Sequence, residues 1–214
     1  MDFLPKDINE YVEAHTSPET ALLKKLDRET NANVMMPRMI SGHFQGRFLS
    51  FFMKCLKPKN VLEIGTFTGY SGLCLAEGLA EGGKLFTLDV NEELEDMVRR
   101  YIAEAGIEDK VEYLLGNALD IIPTLDVEFD AVFIDADKKN YSQYYDLIFD
   151  KIRPGGGIMA DNVLWRGKIV PSGRKKLDSK TKELLDFNAK VQADPRVENI
   201  LMPIRDGIMM ALKK

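Results

Sequence analysis

The stretch NVLEIGTFTGYS (60–71) decides the fold of this chain. A short apolar run ends in Glu63-Ile64, Gly65 and Gly69 follow, and a helical pattern starts at once. That is a strand, a tight turn and a helix N-terminus, the opening half of a strand–helix–strand unit. The rhythm continues. KLFTLD (84–89), VEYLL (111–115), FDAVFID (129–135) and GGIMAD (156–161) are further short apolar runs, with helical stretches between them. In one of those, Leu94, Met97, Val98, Tyr101, Ile102 and Ala105 follow the i, i+3, i+4 spacing. Asn91 is placed to cap its start, Glu92 and Glu93 suit the positive end of its dipole, and Gly106 can end it. In another, Tyr141, Tyr144, Tyr145 and Ile148 share a face, and Pro154 with Gly155, Gly156 and Gly157 stops it. Such alternation implies a parallel sheet covered on both faces.

The two ends of the chain depart from this rhythm. VENILMP (197–203) and IMMAL (208–212) are two strands separated by a few residues that include Asp206-Gly207. So short a gap leaves no room for a crossover, which makes the last pair antiparallel. Ahead of the sheet lie three helical patterns, over 5–14, 18–31 and 41–56. In the third, Phe44, Phe48, Phe51, Phe52 and Cys55 fall on one face, which predicts a core or dimer contact there. The expected architecture is α/β: a Rossmann-like, doubly wound, mostly parallel seven-stranded sheet with a C-terminal antiparallel hairpin and extra N-terminal helices. With 214 residues and no repeat or linker, one domain over 1–214 is expected. Its helices over 1–56 would cover the site and offer a dimer contact, and 57–214 would form the core.

Composition narrows the function. Hydrophobic residues are 45% and charged residues 29% of the chain, the balance of a soluble globular protein. A net charge of −5 argues against a general nucleic-acid or anionic-membrane surface. No apolar run approaches the roughly 18 residues of a bilayer span. The opening MDFLPKDINEYVE has no apolar h-region of a secretory signal. Cys55 and Cys74 both sit in apolar helical patterns and read as buried free thiols, so a cytoplasmic location is expected.

The glycine turn is E-x-G-x-x-x-G, not the dinucleotide pattern G-x-G-x-x-G, which argues against a pyrophosphate packed on it. The second strand ends at Asp89, where an acid can accept bonds from both hydroxyls of a ribose. Together these predict a nucleoside site whose ligand need not carry phosphate. Glu63, beside the turn, suits a cationic ligand such as an amino-acid ammonium or a sulfonium. The plain alternative is a tight βα turn with a solvated acid. A second group of residues stands at the fourth and fifth strand ends: Asp135-Ala136-Asp137-Lys138 and Asp161-Asn162. Neighbouring strands lie about 4.8 Å apart. Oxygens of Asp135, Asp161 and Asn162 can therefore meet one cation, and an all-oxygen set suits Mg²⁺, Mn²⁺ or Ca²⁺ and disfavours zinc. Lys138 lies one helical turn beyond Asp135, while Asp137 is read as a helix cap.

These motifs resemble the cation-dependent class I O-methyltransferases, the group of caffeoyl-CoA and catechol O-methyltransferases. The resemblance rests on VLEIGTFTGYS (61–71), FIDADKKNY (133–141), DNVLW (161–165), ADPR (193–196) and MPIRDGI (202–208). It implies that Glu63, Gly65, Phe67, Ser71, Asp89 and the Gly116-Asn117-Ala118 stretch contact S-adenosylmethionine, with Asp135 also at the cofactor. It implies metal ligation by Asp135, Asp161 and Asn162, a general base in Lys138, an acceptor contact at Met39 and Trp165, and a homodimer. The implied reaction is methyl transfer to a hydroxyl of a vicinal dihydroxy aromatic, a small-molecule phenolic acceptor. Two rivals remain at this stage: a dinucleotide-binding oxidoreductase and a non-catalytic nucleoside-binding relative. The chain departs from the plant caffeoyl-CoA enzymes at Lys176 to Lys180, where they carry tyrosines. The loop from Arg166 to Lys180 is basic instead, with Lys168, Arg174, Lys175 and Lys176, and suits either an anionic acceptor or a solvated lid.

Overall fold

The computed structural model describes residues 5–170 and 177–214. Three helices come first: α1 (Lys6–Ala14), α2 (Ala21–Asn33) and α3 (Gly42–Leu56). The sheet begins with β1 (Asn60–Ile64), α4 (Tyr70–Ala76), β2 (Lys84–Asp89), α5 (Glu95–Glu104), β3 (Val111–Leu115), α6 (Ala118–Ile121) and β4 (Phe129–Ile134). The chain closes with α7 (Tyr141–Phe149), β5 (Ile152–Asp161), α8 (Ser179–Ala193), β6 (Val197–Met202) and β7 (Ile208–Lys213). The seven strands form one sheet in the order β3-β2-β1-β4-β5-β7-β6. Pairs β1–β2, β2–β3 and β4–β5 are parallel, whereas β5–β7 and β6–β7 are antiparallel. This is the mostly parallel, doubly wound sheet with a closing hairpin that the apolar rhythm predicted. The chain divides after Ala118 into two compact units.

In the first unit β1 and β2 bury residues on both faces, Val61, Leu62, Leu85 and Leu88 among them, as a sheet covered on both sides requires. The α5 region starts where expected, with Asn91 Oδ1 accepting the Glu93 amide at 3.1 Å, and Gly106 follows its end at φ 65°. The third helix corrects the first of the two roles expected for its phenylalanine face, a place in the core. Its buried face is Gln45, Gly46, Leu49, Ser50 and Met53, not the phenylalanine face. Phe51 is 70% exposed and Cys55 is exposed, while Cys74 is buried as expected. The reason is close helix packing. A Cβ on Gly46 would lie 2.6 Å from the Tyr70 ring and 2.9 Å from Cys74 Sγ, so only glycine lets α3 approach α4. Glu77, just past α4, then gathers α3. It accepts from Arg47 at 2.7 and 3.0 Å, from Ser50 at 2.6 Å and from Lys54 at 2.8 Å.

In the second unit, α7 buries Tyr141, Tyr144, Tyr145 and Ile148 as its spacing required. The fifth strand starts earlier than predicted, at Ile152. Phe129 pairs with Ile152 and Ala131 with Gly157, so residues 153–156 bulge opposite Asp130. Gly155 takes φ 75°, and Arg153 Nε holds Asp130 at 2.5 Å. Asp178 caps α8 by accepting the Thr181 amide at 2.8 Å.

Candidate active site

Within the first unit, the turn after β1 is closed by the Gly69 amide donating to the Thr66 carbonyl at 2.9 Å. Phe67 sits at φ 50° inside it, a left-handed conformation that costs a bulky residue about 1–3 kcal/mol and persists only where its surroundings enforce it. Asp89 is one such constraint. Its Oδ2 accepts the Phe67 amide at 2.6 Å and its Oδ1 the Asn91 amide at 2.9 Å. The amides of Gly65 and Thr66 both donate to the Leu88 carbonyl, at 2.9 and 3.2 Å. The amides of residues 65, 66, 67 and 69 are thus committed within the protein. A phosphate needs such donors turned outward, so this turn is not built for one. Each Asp89 oxygen still has acceptor capacity beyond its amide bond, which suits ribose hydroxyls.

Glu63 is wholly buried and accepts the Thr87 hydroxyl at 2.6 Å. Thr87 in turn bonds Thr66 at 2.5 Å. A solvated acid at the strand end is therefore ruled out. Gly116, at φ 147°, donates its amide to the Asp89 carbonyl at 2.7 Å. Hydrogen bonds thus join Gly65, Phe67, Asp89 and Gly116 at the end of β2, with Glu63 linked through the two threonines. Ser71 lies in the first turn of α4 and Ala118 opens α6, both buried. Met39 closes a single 3₁₀ turn, Pro37–Met39, and is half exposed, as is Met36, while Met35 is more so.

Within the second unit, Asp135 follows β4 and Asp161 ends β5, two parallel strands in which Ile134 pairs with Ala160. Both acids therefore emerge at neighbouring strand ends. Lys138 is buried and donates to Asp135 Oδ1 at 2.9 Å and to the Tyr141 hydroxyl at 2.6 Å. It is not a solvated charge. The Tyr141 hydroxyl donates onward to the Asp161 carbonyl at 3.0 Å. Burial, reinforced by the charges of Asp135 and Asp161, pushes the Tyr141 phenol well above its usual range, so it stays protonated and keeps both bonds. Asp137 is the cap the sequence suggested, accepting the Lys139 amide at 3.1 Å.

After β5 the backbone is left-handed at Asn162 (φ 60°), Trp165 (φ 45°) and Arg166 (φ 54°). The Asn162 amide donates to Asp161 Oδ1 at 2.7 Å. The hairpin turn secures residues 163–166: Val163 donates to the Gly207 carbonyl at 3.1 Å, Leu164 to the Asp206 carbonyl at 2.8 Å, and Arg166 to Asp206 Oδ1 at 2.5 Å. The Trp165 indole N–H is buried without a partner among the described residues. Of the basic loop, Lys168 pairs with Asp178 at 3.5 Å; Arg174, Lys175 and Lys176 lie outside the described residues. Tyr141 and the Asp206-Gly207 turn were missed as site residues. The signal for Tyr141 was its place three residues after Lys138, one helical turn on.

Residues 13–214 match the family model described as O-methyltransferase. The chain belongs to this O-methyltransferase family. Among its relatives, caffeoyl-CoA O-methyltransferase 1 of Eucalyptus globulus is 35% identical over 192 residues, which cover 86% of this chain and 78% of that one. An O-methyltransferase from Bacillus cereus, solved with S-adenosylhomocysteine, superposes with a TM-score of 0.89 at 31% identity, covering 97% of each chain. A methyltransferase from Podospora anserina, also solved with S-adenosylhomocysteine, gives 0.90 at 27% identity over 99% of this chain and 98% of that one. The protein is an S-adenosylmethionine-dependent O-methyltransferase. That removes the dinucleotide oxidoreductase and the non-catalytic binder.

Among the described residues no three His, Cys, Asp or Glu side chains cluster for a metal. Asp135, Asp161 and Asn162 would offer a set different in kind, two carboxylates and one amide. Its chemistry fits a hard, oxygen-seeking cation that completes its shell with water or substrate oxygens.

Proposed function

We propose that this enzyme methylates one hydroxyl of a vicinal dihydroxy aromatic, a catechol, caffeoyl or related phenolic, with a divalent cation held by Asp135, Asp161 and Asn162. Magnesium is the first choice, manganese or calcium the alternatives. One observation carries the reading: a buried lysine in contact with one of two acids at neighbouring strand ends. A cation held there would lower a chelated phenol's pKa from about 10 toward neutrality. Lys138, having first released one proton to solvent, would receive the phenolic proton at Nζ and hold it as an ammonium. Asp135 Oδ1 and the Tyr141 hydroxyl, its present partners at 2.9 and 2.6 Å, are the acceptors that steady it. S-adenosylmethionine, when bound, would supply the methyl group to the freed oxygen, with its sulfur–carbon bond broken and neutral S-adenosylhomocysteine as the product. Glu63 and Asp89 bind the cofactor, the first on its positive end and the second on its ribose. Gly65, Phe67, Ser71 and Ala118 line it, and Met39 and Trp165 contact the acceptor.

A cytoplasmic homodimer belongs to the same proposal; no helix among the described residues is long and apolar enough to cross a membrane. The test is transfer of labelled methyl from S-adenosylmethionine to a panel of catechols and matched monophenols. Catechols should be methylated and monophenols not; equal rates on both would remove the chelated diol.

A further inference from the structure

Phe67 keeps a strained backbone, and one side of its support is clear: the Asp89 carboxylate on its amide. A second support comes from outside the sheet. Thr30, near the end of α2, and Thr68, next to Phe67 in the turn, are both wholly buried. The Thr30 hydroxyl donates to Thr68 Oγ1 at 3.2 Å. A threonine inside a helix ordinarily turns its hydroxyl back on the carbonyl one turn earlier; Thr30 instead reaches a residue 38 positions away. The rest of α2 and the segment before it lean on the same neighbourhood. Tyr70, which opens α4 directly after the turn, donates its hydroxyl to Glu19. Glu29 accepts from Arg100 and from the Tyr101 hydroxyl of α5. Those outer contacts are exposed or half-buried, where an ion pair adds little. The threonine pair is the buried one, where a lost partner leaves a hydroxyl without compensation.

We infer that Thr30 is a positioning residue for the cofactor: through Thr68 it holds the Phe67 turn in the conformation that presents Asp89 and the turn backbone to the nucleoside. The N-terminal helix is then part of the cofactor site without touching the cofactor. This inference rests on the assignment of Asp89 to that site.

The experiment measures S-adenosylhomocysteine affinity by calorimetry for the wild type, Asp89→Ala, Thr30→Val and Thr30→Ser, with thermal midpoints of the ligand-free proteins and kcat at saturating cofactor. Thr30→Val keeps the shape and removes the hydroxyl. It should weaken binding about tenfold, the scale of one buried hydrogen bond, raise the KM for S-adenosylmethionine in step, and leave kcat at saturation near the wild type. Thr30→Ser keeps the hydroxyl and should restore most of the affinity. A Thr30→Val variant that loses thermal stability yet, at a temperature where it is folded, binds as the wild type does would overturn the inference and leave Thr30 a packing residue. So would a Thr30→Ser variant as weak as the valine. If Asp89→Ala binds like the wild type, the assignment beneath the inference fails instead, and the two failures are distinct.

Discussion

Among the turns of this enzyme that hold non-glycine residues in left-handed backbone, the ones after β1 and β5 share one support, a carboxylate on a strained amide, and differ in the second. The turn after β1 carries Phe67 at φ 50° and is fixed by side chains: the Asp89 carboxylate on the Phe67 amide and Thr30 on Thr68. The turn after β5 carries Asn162, Trp165 and Arg166 and is fixed by both side chain and main chain: the carboxylates of Asp161 and Asp206 on the Asn162 and Arg166 amides, and the carbonyls of Asp206 and Gly207 on Leu164 and Val163. Strain of this sort persists where neighbouring structure over-determines it, and it gathers at functional sites. The contrast has a consequence. Single side-chain deletions should loosen the first turn, whereas the second should also yield when its backbone partner, the hairpin turn, is forced to move.

The largest effect belongs to the proposed general base, Lys138. Lys138→Ala should lower kcat on a simple catechol by about 10²–10⁴, the usual range for losing a general base. Lys138→Arg should do the same, because a guanidinium keeps the charge but cannot give up its proton. An arginine variant with wild-type kcat would make the role of Lys138 purely electrostatic. Next, at the first turn, Asp89→Ala should weaken S-adenosylhomocysteine binding by about 2–4 kcal/mol, two charge-assisted hydrogen bonds. Unchanged affinity by calorimetry would take Asp89 out of the site.

The second turn is probed by Gly207→Ala. A Cβ there would lie 2.3 Å from Leu164 Cγ, at a φ of 88°. Stability in urea should fall by about 2–4 kcal/mol. Gly155→Ala is the control, since its Cβ would meet only the end of Arg153 at 3.2 Å, and it should cost about 1 kcal/mol. Equal losses would mean that the hairpin turn does not brace the 162–166 segment.

The smallest effect lies away from both turns, in the Glu77 hub under α3. Burial pushes its carboxyl up, but hydrogen bonds from Arg47, Lys54 and Ser50 outweigh that and hold it at about 2 against an ordinary 4.5. A folded pKa below the unfolded one stabilises above about pH 4.5, and the contribution is lost as pH falls from there toward 2. Its full size is at most about 3 kcal/mol. The stability gap between wild type and Glu77→Gln should therefore narrow between pH 6 and pH 3. A gap that does not change with pH would assign the effect to packing.

Much of this was legible in the sequence because the signals were local. Continuous apolar runs such as FDAVFID gave the buried strands, and the short gap around Asp206-Gly207 gave the antiparallel hairpin. The helix caps at Asn91 and Asp137 followed from residue type and position. What was illegible depended on partners far along the chain. The phenylalanines of α3 form its most apolar stripe, yet the helix buries Gln45, Gly46 and Ser50, because close approach to α4 favours a small residue and the Glu77 hub recruits polar ones. The bulge over 153–156 needs Asp130 opposite it. Of the candidate site, Glu63, Asp89, Asp135 and Lys138 were legible as acids and a lysine at or near strand ends. Thr30 on Thr68 and the Asp206 carbonyl on Leu164 carry no pattern of their own and emerge only from contacts, whereas Tyr141 had a signal in its spacing from Lys138.

The account stands most directly on the cation. Methyl transfer from S-adenosylmethionine to a simple catechol is measured with added Mg²⁺, with EDTA in excess, and after Mg²⁺ is restored. The account predicts that activity disappears in EDTA and returns with the metal, while S-adenosylhomocysteine binding is unchanged throughout. Full activity in EDTA would contradict it and leave Asp135, Asp161 and Asn162 as structural residues.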